Sequence, residues 1–313
     1  MGHSNGTKCT SSFDVRIGTF DDIQAMADLA VRQGYDRRPF TLACERLLRE
    51  VYGFSLVVTC NPPGERMVAF ENATLLRPHA GTKIRCGGVP FSELLLDERE
   101  RLIANEGEIG RANGDSGVDL FVAHFIIDHE LATKERERAI STLASGFVER
   151  YVGNHVRSVL HELRGAEAAQ AATYGGWEVA ATYEEWGERS GRAQESCPIL
   201  VRNDSASAVR HHNFLVARML NYRPPTLMLP PAAREVVRCA YLGWSDTRIV
   251  TDLGLTTASL NSRWTRILDI AERRAPEIFA NGTGGRVRDR HRLLAYIRNH
   301  PEEMWPYEPQ RKG

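Results

Sequence analysis

VDLFVAHFII, residues 118–127, is the strongest strand in the sequence, long and β-branched, and a chain that carries it has to build a sheet around it. FDVRI (13–17) alternates like a strand. FSLVVTC (54–60) and RMVAFENATLL (66–76) read as two more, joined through the turn residues Asn61, Pro62, Pro63 and Gly64. VRSVLHEL (156–163) is a further strand candidate, with others near 178–183 and 197–201. Helical patterns lie between them. TFDDIQAMADLAVRQG (19–34) is capped by Thr19 or Asp21 and ended by a glycine, and residues 40–52 and 134–152 follow. An alanine-rich helix at 166–173 runs into the turn Gly175-Gly176. Residues 77–117 are Gly-rich and irregular around one charged helix, FSELLLDERERLIAN (91–105). Strands and helices in this order make an α+β domain.

With 313 residues the chain has room for two domains. YRPPTLMLPP (222–231) is a proline-punctuated linker, reached through a connecting helix at 205–221. Charge divides nearby. Residues 202–313 hold 18 Lys+Arg against 11 Asp+Glu, a net +7, while residues 1–201 hold 22 against 29, a net −7. The zero net charge thus conceals a basic, polyanion-binding module beside a neutral-to-acidic one. No stretch approaches the roughly 20 uninterrupted apolar residues that cross a bilayer, and the polar start MGHSNGTKCTSS lacks the apolar core of a signal peptide. Cys9, Cys44, Cys60, Cys86, Cys197 and Cys239 are dispersed and never form Cys-x-x-Cys. That argues against a zinc site or a disulfide framework and fits a reducing cytoplasm.

Beyond Leu229 three helices can be marked: about 231–242, ended by Gly243; about 246–253, capped by Ser245 and ended by Gly254; and about 257–272, capped by Thr256. The tight turn DLGLTT gives the second and third the spacing of a helix-turn-helix. Val236, Val237, Ile249, Leu260, Trp264 and Ile267 fall on inward faces as one small core. The outward face of the third helix is left to Thr257, Ser259, Asn261, Ser262, Arg263 and Arg266. With Ser245 and Thr256, these are the candidate DNA contacts: hydroxyls and amides near a helix N-terminus suit phosphates and base edges, and arginine reads guanine.

The segment resembles the LuxR-type (FixJ or GerE) helix-turn-helix. Leu229, Arg234, Glu235, Val236, Gly243, Ser245, Ile249, Leu253, Gly254, Leu255, Ser259, Leu260 and Ile267 fall on that pattern without a gap, over about 50 of the 313 residues. Pro230 and Ala233 depart from its T-x-R-E opening, Val250 and Thr251 from its Ile-Ala-Ala run, and Asn261 from a common lysine. The resemblance implies a four-helix domain that binds DNA as a dimer, with the third helix in the major groove.

The order of elements before residue 204 looks like a GNAT acetyltransferase fold. FDVRIGTFDDIQAMADLA resembles its opening and AAQAATYGGWEVAATY its late helix and Gly-aromatic turn. The family cradles its cofactor's pyrophosphate in a loop of the type Q/R-x-x-G-x-G/A after the long strand. The corresponding HELATKERERAI (129–140) has no glycine and sets Glu135 and Glu137 where phosphates need exposed amides. The slot of the family's general-acid tyrosine falls on Ala172, with Tyr174 two residues off. A degenerate sensory or dimerising domain, not an enzyme, is expected, with no catalytic residue and no cofactor. His124, Asp128, His129 and Glu130 are metal-capable, but His129 points away from the strand face shared by His124 and Asp128, so no metal site is expected. His211 and His212 read as solvated surface.

The sequence therefore predicts an α+β, GNAT-like mixed sheet with flanking helices followed by an all-α four-helix LuxR-type domain. Residues 1–204 form the sensory or dimerisation domain, 205–228 the linker, 229–280 the DNA-binding domain, and 281–313 a basic C-terminal helix and tail. The expected protein is a cytoplasmic, sequence-specific transcriptional regulator. Its expected partners are double-stranded DNA and a second copy of the chain, with a small-molecule effector and RNA polymerase as further candidates and no membrane. Two alternatives stay open: a GNAT-type acyltransferase with an accessory helix-turn-helix, and a sigma-like protein-interaction module.

Overall fold

In the computed structural model, which describes residues 12–50, 52–61, 66–85, 89–97, 101–191, 197–211, 214–280 and 286–309, the chain begins with β1 (Ser12–Ile17), α1 (Ile23–Val31) and α2 (Arg37–Arg49). It continues as β2 (Gly53–Asn61), β3 (Arg66–Leu75), α3 (Pro78–Arg85), α4 (Phe91–Leu94), α5 (Glu106–Gly114), β4 (Val118–Ile127), α6 (Thr133–Tyr151) and β5 (Val156–Arg164). Then come α7 (Ala166–Tyr174), β6 (Glu178–Thr182), α8 (Glu184–Ser190), β7 (Pro198–Asp204), α9 (Ser205–Arg210) and α10 (Phe214–Leu220). The last helices are α11 (Pro231–Tyr241), α12 (Asp246–Asp252), α13 (Thr257–Arg274) and α14 (Arg286–Asn299). The turn residues Pro62, Pro63 and Gly64, together with Cys9, Cys86 and His212, lie outside the described residues. No helix among the described residues is long and apolar enough to cross a membrane.

The chain divides into two compact units. One comprises Met1–Ala104, Asp119–Arg150 and Ser158–Val216; the other comprises Asn105–Val118, Tyr151–Arg157 and Ala217–Gly313.

The first unit is built on a seven-stranded sheet in the order β1-β2-β3-β4-β5-β7-β6. β1 through β4 pair antiparallel in succession, and β7 pairs antiparallel with both β5 and β6. β4 and β5 run the same way, since the 19-residue α6 carries the chain back across between them, as a parallel pair requires. Ser158 near the start of β5 donates to Asp119 near the start of β4 at 2.6 Å, which fixes their alignment. The sheet is therefore mixed, with helices on both faces.

Period-2 alternation sorts the core. On one face Met26, Leu29 and Phe40 of α1 and α2 pack on Val57, Phe70 and Ile126. On the other, Ala139 and Leu143 of α6 pack on Leu56, Val58 and Val68. Glu71 of β3, which pairs with Leu56 in register, is the exception: it is 0% exposed and neither carboxyl oxygen has a hydrogen-bond partner. Burial raises its pKa well above the ordinary carboxyl range, opposed by Arg150.

The irregular region resolves differently from the expected charged helix. Among the described residues of 91–105 only Phe91–Leu94 is helical, and Ile103 bridges Leu76 while Arg77 donates to Leu102 and Ala104 to Leu75, each at 2.9 Å. Hydrogen bonding to the end of β3 outcompetes helix there. α5 then starts from a capping box in which Asn105 and Glu108 each accept the other's backbone N–H. Its glycines serve close approach rather than a loop. Glu308 donates to the Gly110 carbonyl at 2.9 Å, Asn113 donates to the Pro306 carbonyl at 2.7 Å, and a Cβ on Gly114 would lie 1.9 Å from the Glu308 carbonyl oxygen.

The second unit is helical, and its core joins Leu227, Val236, Ile249, Leu260, Trp264 and Leu293. Two residues past α12, Gly254, with a φ of +60°, turns the chain so that Leu255 N–H reaches the Val250 carbonyl at 2.9 Å. The expected connecting helix over 205–221 is split into α9 and α10.

Candidate functional site

A cleft open to solvent lies in the first unit at the C-terminal halves of β4 and β5. β4 contributes Ala123 and His124; β5 contributes Glu162 and Arg164, which alternation places on one face. Tyr35, Phe40 and Ala43 form one wall, and Ser92, Glu93 and Leu96 another.

Glu162 is buried, and its carboxylate accepts the backbone N–H groups of Phe91 and, at 3.1 Å, of Ser92, so it caps α4 from across the cleft. The Ser92 side chain and the Tyr183 hydroxyl also hydrogen-bond this carboxyl. Burial pushes its pKa up to about 7, against the two N–H groups, the Ser92 side chain and Arg164, which favour the charged form. The hydroxyl of Tyr183 stands beside it, donates to the Ile84 carbonyl at 3.4 Å, and is raised in pKa by burial and by Glu162.

His124 is buried, and burial, followed by Arg164 and His161, lowers its pKa to about 3, so it is neutral. Asn72 Nδ2 lies 3.3 Å from His124 Nδ1, an arrangement that makes Nδ1 the acceptor and leaves the proton on Nε2. The same Asn72 amide donates to Cys44 Sγ at 3.3 Å, and burial pushes that thiol up to about 12, which makes it unreactive. The imidazole packs against Phe40 at 4.6 Å between ring centres. Arg164 lies with its guanidinium carbon 4.0 Å over the ring of Tyr35. The cleft thus joins a base poised near neutrality, a neutral imidazole and a fixed cation.

Of the metal-capable set, His124 faces this cleft, while buried Asp128 is ion-paired to Arg66 and, at 3.6 Å, to Arg32. Among the described residues no three such side chains gather in one place. The loop into α6 is closed on itself: Asp128 accepts the Glu130 N–H at 3.0 Å, and Arg136 donates to the carbonyls of His129 and Leu131 at 2.5 and 3.3 Å. A diphosphate would meet two carboxylates and an occupied amide there, so these residues do not fit the pyrophosphate of an acyl-coenzyme A in the family manner. Tyr174 is 82% exposed at the end of α7 and takes no part in the cleft.

The candidate DNA contacts all lie on the second unit. Ser245 and Thr256 cap α12 and α13, accepting the N–H of Arg248 at 3.3 Å and of Ser259 at 3.1 Å. Asn261 accepts from Arg290 at 3.3 Å, and Arg263 donates to the Ala232 carbonyl at 3.3 Å. Thr257, Ser262 and Arg266 are exposed, and Ser259 is half-buried.

Comparison with protein-family models and with curated proteins gives no match. Among solved structures the chain is similar to an N-acyl amino acid synthase from uncultured soil microbes, at 12% identity and a TM-score of 0.40 over 68% of this chain and 100% of that one. It is also similar to the ribosomal-protein-S18-alanine N-acetyltransferase of Escherichia coli, at 12% identity and 0.36 over 62% and 94%. A protein of Desulfovibrio desulfuricans assigned to the GNAT acetyltransferases gives 12% and 0.37 over 62% and 99%. This is a likeness of fold outline, GNAT-like. The expectation that the chain is not an enzyme is corrected here, because the structures it is similar to are mostly acyltransferases.

Glu162 and Tyr183 were not singled out by sequence reasoning. The signal was present: in VRSVLHEL, Glu162 shares the parity of Val156, Ser158 and Leu160, so an acid stands in the buried register of a strand.

Proposed function

We propose that the first unit is an acyltransferase that moves an acyl group from an activated donor to an amine, with Glu162 as general base. The observation that supports this is a buried carboxyl with a pKa raised to about 7, opening into a cleft beside a neutral histidine. The amine nitrogen attacks the acyl carbon, its N–H proton passes to a Glu162 oxygen, and the donor's leaving group departs with the electron pair. The substrate attacks as the free amine, and neutral His124 adds no positive charge beside the nitrogen as its proton passes to Glu162. The test is incubation of the full-length protein with thioester donors of short and long acyl chains and a panel of primary amines, read by mass spectrometry. Acylated amine that disappears with Glu162→Gln supports the reading; no product from any pair overturns it.

A second reading concerns the helical unit. Thr257, Ser262 and Arg266 project from the first three turns of α13, which carry no acid. We infer that this face contacts double-stranded DNA, making the helices an accessory binding module for which a LuxR-type arrangement is the finer proposal. Selection of fragmented genomic DNA by the full-length protein tests it, and the absence of any enriched sequence would remove it.

A further inference from the structure

We propose that Arg164 makes the cleft selective for an acceptor that carries a carboxylate beside its amine, an amino-acid-like zwitterion. The inference rests on the reading of the cleft as an acyl-acceptor site, and it names that site's substrate class.

Arg164 makes no ion pair and no side-chain hydrogen bond among the described residues; its guanidinium lies on the Tyr35 ring at 4.0 Å. Several other exposed arginines in this unit are paired, Arg16 with Asp22, Arg37 with Asp28, Arg66 with Asp128 and Arg210 with Glu178, whereas Arg164 is an arginine that lines the cleft. A guanidinium held on an aromatic face keeps its N–H edges free, and its orientation is already restricted, so less side-chain entropy is lost when it grips a carboxylate in two parallel bonds.

Placement supplies the second argument. Arg164 and Glu162 are two residues apart on the same face of β5, roughly 6.6 Å along the strand, and both line the cleft. A molecule with its amine at the Glu162 carboxylate and its own carboxylate at Arg164 pairs each charge with its opposite. An amine without a carboxylate leaves Arg164 unmatched. Phe40, Ala43, Leu96 and Ala123 add an apolar wall, which suits an apolar substituent between the two ends.

The test measures equilibrium binding to the full-length protein by calorimetry, without any acyl donor. The probes are L-leucine and L-phenylalanine against 3-methylbutylamine and 2-phenylethylamine, which lack only the carboxylate. The expected result is binding of the amino acids about tenfold or more tighter than their amines, with the preference abolished in Arg164→Met and partly restored in Arg164→Lys. Circular dichroism of each variant checks folding, and the wild-type comparison stands without any variant. Equal binding of amines and amino acids, binding of neither, or an undiminished preference in Arg164→Met would overturn the proposal. Acyl transfer to amines without preference would sink this proposal alone. A carboxylate preference without any acyl transfer would sink the acyltransferase reading and leave the zwitterion site standing.

Discussion

Glu162 accepts the backbone N–H of Ser92 at 3.1 Å, so the group proposed to take a proton also holds a wall of the cleft in place. Its raised pKa of about 7 makes the carboxylate available only as pH rises through that value. Turnover should therefore climb with pH, with a limb centred near 7. Glu162→Gln should lower kcat by on the order of 10²–10⁴-fold and remove that limb. A limb that survives in the Gln variant would assign the base elsewhere. Stability runs the other way. The folded state keeps a proton that the unfolded chain releases above its ordinary 4.5, so the contribution is full below 4.5 and lost as pH rises through about 7.

Glu71 is buried without a hydrogen-bond partner, and its raised pKa again means that the native state holds the proton more tightly than the unfolded chain. Wild-type stability should fall as pH climbs above 4.5 on this account. Glu71→Leu should stabilise the protein at neutral pH by about 1–3 kcal/mol, the cost of an unsatisfied buried polar group. The gain should shrink toward pH 4. Thermal melts of both proteins at pH 4 and 7 decide it, and a destabilised Leu variant at pH 7 would show that Arg150 compensates the charge.

Gly114 and Gly110 make a matched pair. A Cβ on Gly114 would collide with the Glu308 carbonyl oxygen at 1.9 Å, whereas one on Gly110 would meet its nearest neighbour at an ordinary 3.6 Å. Gly114→Ala should therefore destabilise the second unit by about 1–3 kcal/mol, and Gly110→Ala should be neutral or slightly stabilising through helix propensity. Denaturant midpoints of the two variants give the comparison.

On the helical unit, Arg266 is exposed while Arg263 donates to the Ala232 carbonyl. Arg266→Ala should weaken DNA binding without loss of stability and lower the slope of log affinity on log salt by about 1 if it contacts phosphate. Arg263→Ala should weaken sequence-selective binding. Titrations at several salt concentrations separate these outcomes from a helix that ignores DNA.

Much of the fold was legible because it rests on short-range pattern. The ten-residue β4, the 19-residue α6 and the helices after Pro231 follow from apolar period and caps within single segments. α5 was missed because three glycines in nine residues mimic a loop until the distant Pro306–Glu308 stretch explains them. The cleft was hidden for a related reason. Tyr35, Ser92, His124 and Glu162 meet only through sheet pairing, and a glutamate's proton affinity depends on a burial that no local window contains.

The embrace of α5 by Pro306–Glu308 also sets a timetable. A ribosome adding about 5–20 residues per second needs on the order of 10–40 s to travel from Gly114 to Glu308. Through that interval the glycine-lined face of α5 waits bare, while most of the first unit has already emerged. The nascent chain must therefore keep that face of an early helix uncovered until the Pro306–Glu308 stretch has been made.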